Sequence, residues 1–287
     1  MRLGEVVKRE VCRKIEGYKI LSPPKLKKLD VFQAYGVLVM SKGFVVVRGR
    51  DYIKVTKFPK VSEEVILDKS SLERKIREMN VKYPLVIVDT RYESMHTDRE
   101  LRKLRVQLNQ SLHVVRKFIR DEMLIVTSSS ERYCKGRVAV FTPYGEKVYS
   151  GEYYDTVVIG GIVDKCVRKE GLSLKLAEEI ERAGVKVSRV RVELRGSVVG
   201  VPDRINQFIE LLLLCMVDGM SVEEAIKAVQ PRIVARWRLR RELPKYVEKR
   251  NGERVVSKEA FNELSSWLNI TWSDFEKVAR EQQVRIV

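Results

Sequence analysis

The stretch DTVVIGGIVDK, Asp155 to Lys165, decides the fold. Thr156, Val157, Val158 and Ile159 are β-branched, the residue type that packs well on a pleated surface. The run then meets Gly160 and Gly161, and Asp164 follows three residues later. Glycines let a backbone approach a neighbour or a ligand closely. In open α/β sheets, ligands bind beyond the carboxyl ends of the strands. The plainer readings are a tight turn for the glycines and a helix N-cap for Asp164.

Working outward, strand-like and helix-like segments alternate. YPLVIVD (83–89) is a short apolar run after a proline, the pattern of a buried parallel strand. A helix is predicted over 98–120, with Leu101, Leu104, Leu108, Leu112, Val115 and Ile119 on one stripe at spacings of three and four. Its other faces carry Arg102, Lys103, Arg105, Arg116, Lys117 and Arg120, and no acid stands between 101 and 120. EMLIVTSSS (122–130) and RVAVFTP (137–143) read as further strands. A helix over 172–183 leads to the strand KVSRVRVEL (186–194), and the last core helix spans about 202–217. Ser221 opens another helix with a capping box, closed by Pro231. This alternation predicts an α/β fold, a mostly parallel sheet covered by helices on both faces.

The flanks differ. Residues 1–60 hold fifteen Lys and Arg against five acids. The segment 31–58 alternates strand-like runs with turn signals at 41–43 and 49–51. Residues 1–80 are therefore expected as a β-rich basic domain suited to RNA. Tyr35, Phe44, Tyr52 and Phe58 are either stacking platforms or ordinary strand core. Residues 231–254 carry nine basic residues against three acidic and read as a charged connector. Beyond it, Ser257 and Thr271 mark two helix starts, with Phe261, Leu264, Trp267, Leu268 and Phe275 as a small helical core. The expected division is 1–80, 81–237 and 238–287.

The formal net charge of +17 over 287 residues points to a polyanionic partner, nucleic acid first. No run approaches the roughly 18 apolar residues of a membrane span, and the charged start shows no signal peptide. Four scattered cysteines and two histidines, without a CxxC pair, give no metal site or disulfide framework. A soluble, cytoplasmic, metal-free protein is expected. Dinucleotide, P-loop and nucleophile-elbow motifs are absent, which removes the usual anchors of dehydrogenases, NTPases and α/β-hydrolases.

Three segments together resemble the archaeal tRNA position-9 purine N1-methyltransferases of the SPOUT, trefoil-knot superfamily. They are VVIGGIVDK (157–165), the run from Arg168 to Leu194, and RINQFIELLL (204–213). Upstream, 89–118 matches the family's Asp-led strand and its helix, with Gln107 and, nine residues on, Arg116. LIVTSS (124–129) matches the strand ending in a threonine and small polar residues. The resemblance covers about 83–237. It departs in DKCVRKEG (164–171), where an apparent extra residue leaves both Arg168 and Lys169 for the family's basic position.

The resemblance implies a knotted sheet and S-adenosylmethionine as cofactor, cradled by three loops: Val126, Thr127 and Ser128; Gly160, Gly161 and Asp164; and Val198, Val199 and Gly200. Asn206 would pack beneath it. The substrate would be tRNA and the enzyme a monomer. Asp164 would stand beside the target base. Guanine N1 carries a proton that a carboxylate could accept, whereas adenine N1 has a free lone pair and its product is cationic. RNA contacts are expected from Gln107, Arg116, Lys117, Lys165, Arg168, Lys169, Arg236, Arg238, Arg240, Arg241, Arg48 and Arg50. Two rival readings stay open: a non-catalytic RNA-binding protein, and a knotted methyltransferase of another RNA such as ribosomal RNA.

Overall fold

Three near-continuous apolar runs form the centre of one sheet. They are Leu85–Asp89, Val138–Phe141 and Thr156–Gly160, and nearly every side chain in them is buried. The computed structural model describes residues 82–163 and 170–287, Arg2, and the backbone of five strands upstream. Those five are β1 (Tyr18–Ile20), β2 (Val31–Gln33), β3 (Gly36–Leu38), β4 (Tyr52–Lys57) and β5 (Val61–Asp68). They pair antiparallel, β1 with β4 with β5, and β2 with β3. The predicted turns at 41–43 and 49–51 lie outside the described residues.

The main sheet is wholly parallel. Its strands are β6 (Leu85–Asp89), β7 (Leu124–Thr127), β8 (Val138–Phe141), β9 (Lys147–Val148), β10 (Thr156–Gly160) and β11 (Val187–Arg191). Their spatial order is β7-β6-β10-β8-β11-β9. Strand β10 thus enters between β6 and β8, pairing Thr156 with Leu85 and with Val138. Buried on both faces, the central strands need no polar alternation.

Alternate residues feed two cores, because successive side chains point to opposite faces. Ile87, Val138, Val140 and Val158 pack with Leu176, Ala177 and Ile180 of helix α2 (Leu172–Arg182). Val86, Val88, Ala139, Phe141, Val157 and Ile159 belong to the larger core with α1 (Asp98–Phe118) and α3 (Ile205–Met216). Helix α1 opens on a capping box: Glu100 N–H donates to Thr97 Oγ1 at 3.4 Å, and Thr97 N–H to Glu100 Oε2 at 3.0 Å. Its buried stripe runs through Leu104, Ser111, Val114, Val115 and Phe118, while Leu101, Leu108 and Leu112 are only partly covered. Ser111 is tolerated there because its hydroxyl donates to Gln107 O at 2.8 Å.

Helices α4 (Val222–Val229) and α5 (Arg232–Glu242) follow, joined at Pro231. The capping box at Ser221 is formed with Glu224. The stretch expected as a charged connector is corrected: most of its first half is α5. Val234, Ala235, Arg238, Leu239 and Glu242 are buried at helical spacing, so an Arg–Glu pair occupies two places of the inner stripe. That pair hides the apolar period from a sequence reading. Next come β12 (Glu248–Arg250), β13 (Glu253–Val256), α6 (Lys258–Trp267), α7 (Trp272–Glu281) and β14 (Arg285–Ile286), the strands forming a sheet ordered β12-β13-β14. Leu264, Trp267, Leu268 and Phe275 are buried and Phe261 packs on them. They join the same core as Leu239 and Ile209 rather than a core of their own. Among the described residues, no helix is long and apolar enough to cross a membrane, and no group of three His, Cys, Asp or Glu could hold a metal ion.

Candidate active site

Beyond the carboxyl ends of β8 and β10 lies a hollow of about 350 Å³. Phe141 to Tyr144 continue β8 into one wall, and Ile159, Gly160 and Ile162 form the next. Val192, Val198, Val201 and Pro202, from the segment after β11, make a third. Ile205 and Phe208 of α3 and Gly171 and Ser173 at the start of α2 complete it. The lining is mainly apolar, with the Thr142 and Ser173 hydroxyls paired at 2.8 Å and the carboxylates of Glu170 and Asp203 as its polar groups. An apolar pocket with a few fixed polar groups is the usual form of a small-molecule site.

Gly161 explains the paired glycines. Its N–H donates to Asp89 O at 2.7 Å, which ties the loop across the end of β6. A Cβ there would stand 3.0 Å from that same oxygen and 3.0 Å from Thr90 Cγ2. Asp89 itself is an anchor for structure. Its buried carboxylate takes Arg91 Nε at 3.0 Å and Nη2 at 2.8 Å, and Ser130 N–H at 3.2 Å. Burial pushes this carboxyl up, but the hydrogen bonds from Arg91 and Ser130 outweigh it and hold the group below its ordinary value.

A second, larger cavity of about 850 Å³ runs along α1. Arg99, Arg102, Lys103, Val106, Gln107 and Gln110 form one side, and Ile162, Val163, Asp203 and Arg204 the other. Ile162 and Asp203 line both cavities, so the basic groove and the apolar hollow meet at these two residues. Gln107 holds that junction: its Oε1 accepts from Ile205 N–H at 2.8 Å, capping α3, whose own N-cap Arg204 offers no side-chain acceptor. Val163 is held by a histidine. Its N–H donates to His96 Nε2 at 2.9 Å, while His96 Nδ1 lies 3.1 Å from Tyr92 O and 3.2 Å from Glu93 O. A peptide N–H only donates and a carbonyl only accepts, so the hydrogen bonds assign the proton to Nδ1.

The sequence-derived candidates fall into four groups. Asp164, Lys165, Arg168 and Lys169, with Arg48 and Arg50, lie outside the described residues, which stop at Val163 and resume at Glu170. Gly160 and Val198 line the hollow, and Val199 and Gly200 continue its third wall. Asn206 follows Ile205 on α3, its buried Oδ1 without a partner among the described residues. Among the basic candidates, Arg116 is tied to Asp121 through Nε at 3.0 Å and Nη2 at 2.9 Å. Lys117 pairs with Glu210, Arg236 with Asp274 and Arg240 with Glu281, and Arg241 is exposed.

Four candidate residues stand away from the hollow and the groove. Val126, Thr127 and Ser128 do not line the hollow: β7 is the edge strand beyond β6, and Val126 is 47% exposed. The wall expected there comes from Phe141 to Tyr144. Arg238 is not a surface cation, being 3% exposed with its Nη atoms donating to Val199 O and Arg195 O. Sequence reasoning also missed Arg99, Gln110, Asp203 and Arg204. The apolar-strand-then-FTPYG pattern was the available signal for the missed loop, of the same kind as VVIGG.

Comparison with known proteins gives a consistent set. Residues 236–287 match the family described as tRNA (guanine(9)-/adenine(9)-N1)-methyltransferase C domain. The tRNA (guanine(9)-/adenine(9)-N1)-methyltransferase of Thermococcus kodakarensis is 38% identical, over 72% of this chain and 64% of that protein. The tRNA (adenine(9)-N1)-methyltransferase of Sulfolobus acidocaldarius is 32% identical, over 52% of this chain and 56% of that protein. The chain thus spans less than two thirds of the length of either relative. The solved structure of Sulfolobus acidocaldarius Trm10 in complex with S-adenosylhomocysteine is 19% identical with a TM-score of 0.60, covering 98% of this chain and 99% of that one. That likeness establishes a shared fold.

Proposed function

We propose that the chain is a member of the archaeal family of tRNA position-9 purine N1-methyltransferases that its matches point to, and that it methylates N1 of the purine at position 9 of tRNA with S-adenosylmethionine. The observation that carries the proposal is the meeting of an apolar hollow and a basic groove at Ile162 and Asp203. One cavity suits a small cofactor and the other a polyanion, and a transfer reaction needs both ligands at one point.

The hollow fits the cofactor chemically. Phe141, Val201, Ile205 and Phe208 offer an apolar bed for an adenine ring, and Thr142 and Ser173 offer hydroxyls. Gly160, Gly161, Val198, Val199 and Gly200 would contribute mainly backbone, with Asn206 nearby. When bound, S-adenosylmethionine supplies an electrophilic sulfonium methyl. Asp164 directly follows the His96-anchored Val163 and would face the target base. With guanine it accepts the N1 proton, and with adenine it stabilises the positive charge developing on the ring. Asp203 is a second carboxylate at the junction and can hold an exocyclic amine or share that charge.

The groove residues Arg99, Arg102, Lys103 and Arg204 would take phosphates flanking an extruded nucleotide. Gln107, in the groove, and Lys117, Arg240 and Arg241 are further candidate RNA contacts, and Lys165, Arg168, Lys169, Arg48 and Arg50 would join them. Arg116, Lys117, Arg236 and Arg240 would first have to leave their carboxylate partners. We read 1–80 as an RNA-gripping β domain, 81–237 as the methyltransferase and 238–287 as a helical C-terminal unit. The late entry of β10 and β11 between strands already laid down is the order that a trefoil knot requires. By the family pattern the enzyme would act as a cytoplasmic monomer.

The test uses two unmodified tRNA transcripts differing only in A or G at position 9, incubated with labelled cofactor and digested for nucleoside analysis. Formation of 1-methyladenosine or 1-methylguanosine is expected, and Asp164→Asn should abolish guanine activity while only lowering adenine activity. Absence of both products from the wild type would overturn the proposal.

A further inference from the structure

The third wall of the hollow, Val192 to Asp203, is fixed by residues that do not themselves line the hollow. Arg195 O accepts from Arg238 Nη2 at 3.3 Å and Val199 O from Arg238 Nη1 at 3.1 Å. Gly200 O accepts from Gln230 Nε2 at 2.6 Å. Gln230 is fixed in turn: Asn269 N–H donates to its Oε1 at 2.9 Å, and Asn269 Nδ2 to its carbonyl at 2.7 Å. Arg238 and Gln230 are 3% and 2% exposed. The Arg238 stem packs so closely on Gly200 (φ +100) that a Cβ there would lie 3.1 Å from Arg238 Cβ and 3.1 Å from Leu194 Cδ2. Within the core the guanidinium faces a carboxylate and an aromatic ring: Glu242 Oε1 lies 2.9 Å from its Nε and the Trp267 ring 5.6 Å from Cζ.

A buried arginine and a buried glutamine are costly unless their hydrogen bonds are used. Here the arginine spends two donors and the glutamine one on carbonyls of a single loop, whose Val198 and Val201 face the hollow. We propose that Arg238, Gln230 and Asn269 are positioning residues for the cofactor, through which the C-terminal unit, directly by Arg238 and by Asn269 acting on Gln230, sets the outer wall of its pocket. The unit then serves cofactor binding as well as any grip on RNA. The inference rests on the reading of the hollow as the S-adenosylmethionine site.

The test is calorimetric binding of S-adenosylhomocysteine to the full chain and to Gln230→Leu and Arg238→Lys. Position-9 transcript affinity and amide exchange would be followed over 195–201. Losing one such hydrogen bond should weaken S-adenosylhomocysteine by about three- to tenfold, with faster exchange confined to 195–201 and transcript affinity within about twofold of wild type. Should either variant fail to fold, Asn269→Ala decides, since Asn269 is exposed. It should weaken S-adenosylhomocysteine by about two- to threefold at an unchanged Tm. Unchanged cofactor affinity in the folded variants, or an equal loss of both affinities, would overturn the inference. No binding by the wild type would instead remove the cofactor reading of the hollow.

Discussion

The single hydrogen bond from Val163 N–H to His96 Nε2 bears on the backbone that leads directly into Asp164, and replacing His96 by Phe isolates it. The other two groups that His96 meets keep partners of their own. Tyr92 O also accepts from Met95 N–H at 3.0 Å, and Glu93 O from His96's own backbone N–H at 3.0 Å. Only Val163 N–H is left without a partner, and Val163 and His96 are both buried. An orphaned buried N–H costs about 1–3 kcal/mol, with little added for volume because Phe fills the ring's space. Urea unfolding at pH 7 should therefore show a loss of that size for His96→Phe, with the Val163 amide losing exchange protection. Turnover should fall by more than cofactor affinity, because the displaced segment carries Asp164. His96→Gln, whose Oε1 reaches toward the Nε2 position, should recover most of both. A phenylalanine variant with wild-type stability, protection and turnover would refute the assignment of this bond as the anchor of the loop.

Two further outcomes follow from charge. Arg102→Ala and Lys103→Ala should each lower the salt dependence of transcript binding by about one ion and leave S-adenosylhomocysteine binding unchanged; an unaltered slope in the double variant would remove the groove from the RNA path. The buried carboxyls of Asp89 and Asp274 are pushed up by burial but held below the ordinary 3.8, chiefly by Arg91 for Asp89 and by Thr271 and Arg232 for Asp274. A depressed folded value stabilises the protein above the unfolded value and is lost as pH falls through the folded one. The urea midpoint should thus be flat from pH 7 to about 5 and drop below about 4, and Asp89→Asn should flatten that acid limb.

The central strands were legible because a strand buried on both faces needs an unbroken apolar run, and LVIVD, VAVF and TVVIG have one. Helix α5 was not, because Arg238 and Glu242 take inner positions and break the apolar period. The position of the Val126–Ser128 turn was also out of reach. All parallel strands end on one edge of the sheet, so β7 and β8 present equally suitable polar turns there. Which turn closes on Gly160 depends on β10 lying between β6 and β8, a non-local pairing that no local pattern encodes. Asp203 has the same difficulty: it reads as an ordinary acid before a helix until two cavities are seen to share it.

The composition of the hollow explains why the remaining signals were weak. Its walls are built mostly from Gly, Val, Ile, Pro and Phe, which offer shape and backbone, with Tyr144, Glu170 and Asp203 as the titratable groups among them. What gives such a site definition is the set of side chains that grip its backbone. His96 holds Val163 and Gln107 holds Ile205, while Arg238 and Gln230 hold Val199 and Gly200. Gln107 and Arg238 lie on α1 and α5, and His96 and Gln230 in the connections before those helices, at sequence separations of 30 to 98 residues from what they hold. Each reads in isolation as an ordinary polar residue. A misplacement of about 1 Å in the gripped loops can cost a hundredfold in rate, so the proposed reaction would depend on residues that need touch neither the methyl group nor the base. The same argument ranks the variants: removing a groove cation should cost RNA affinity alone, whereas releasing one of the four grips should cost turnover or cofactor affinity first.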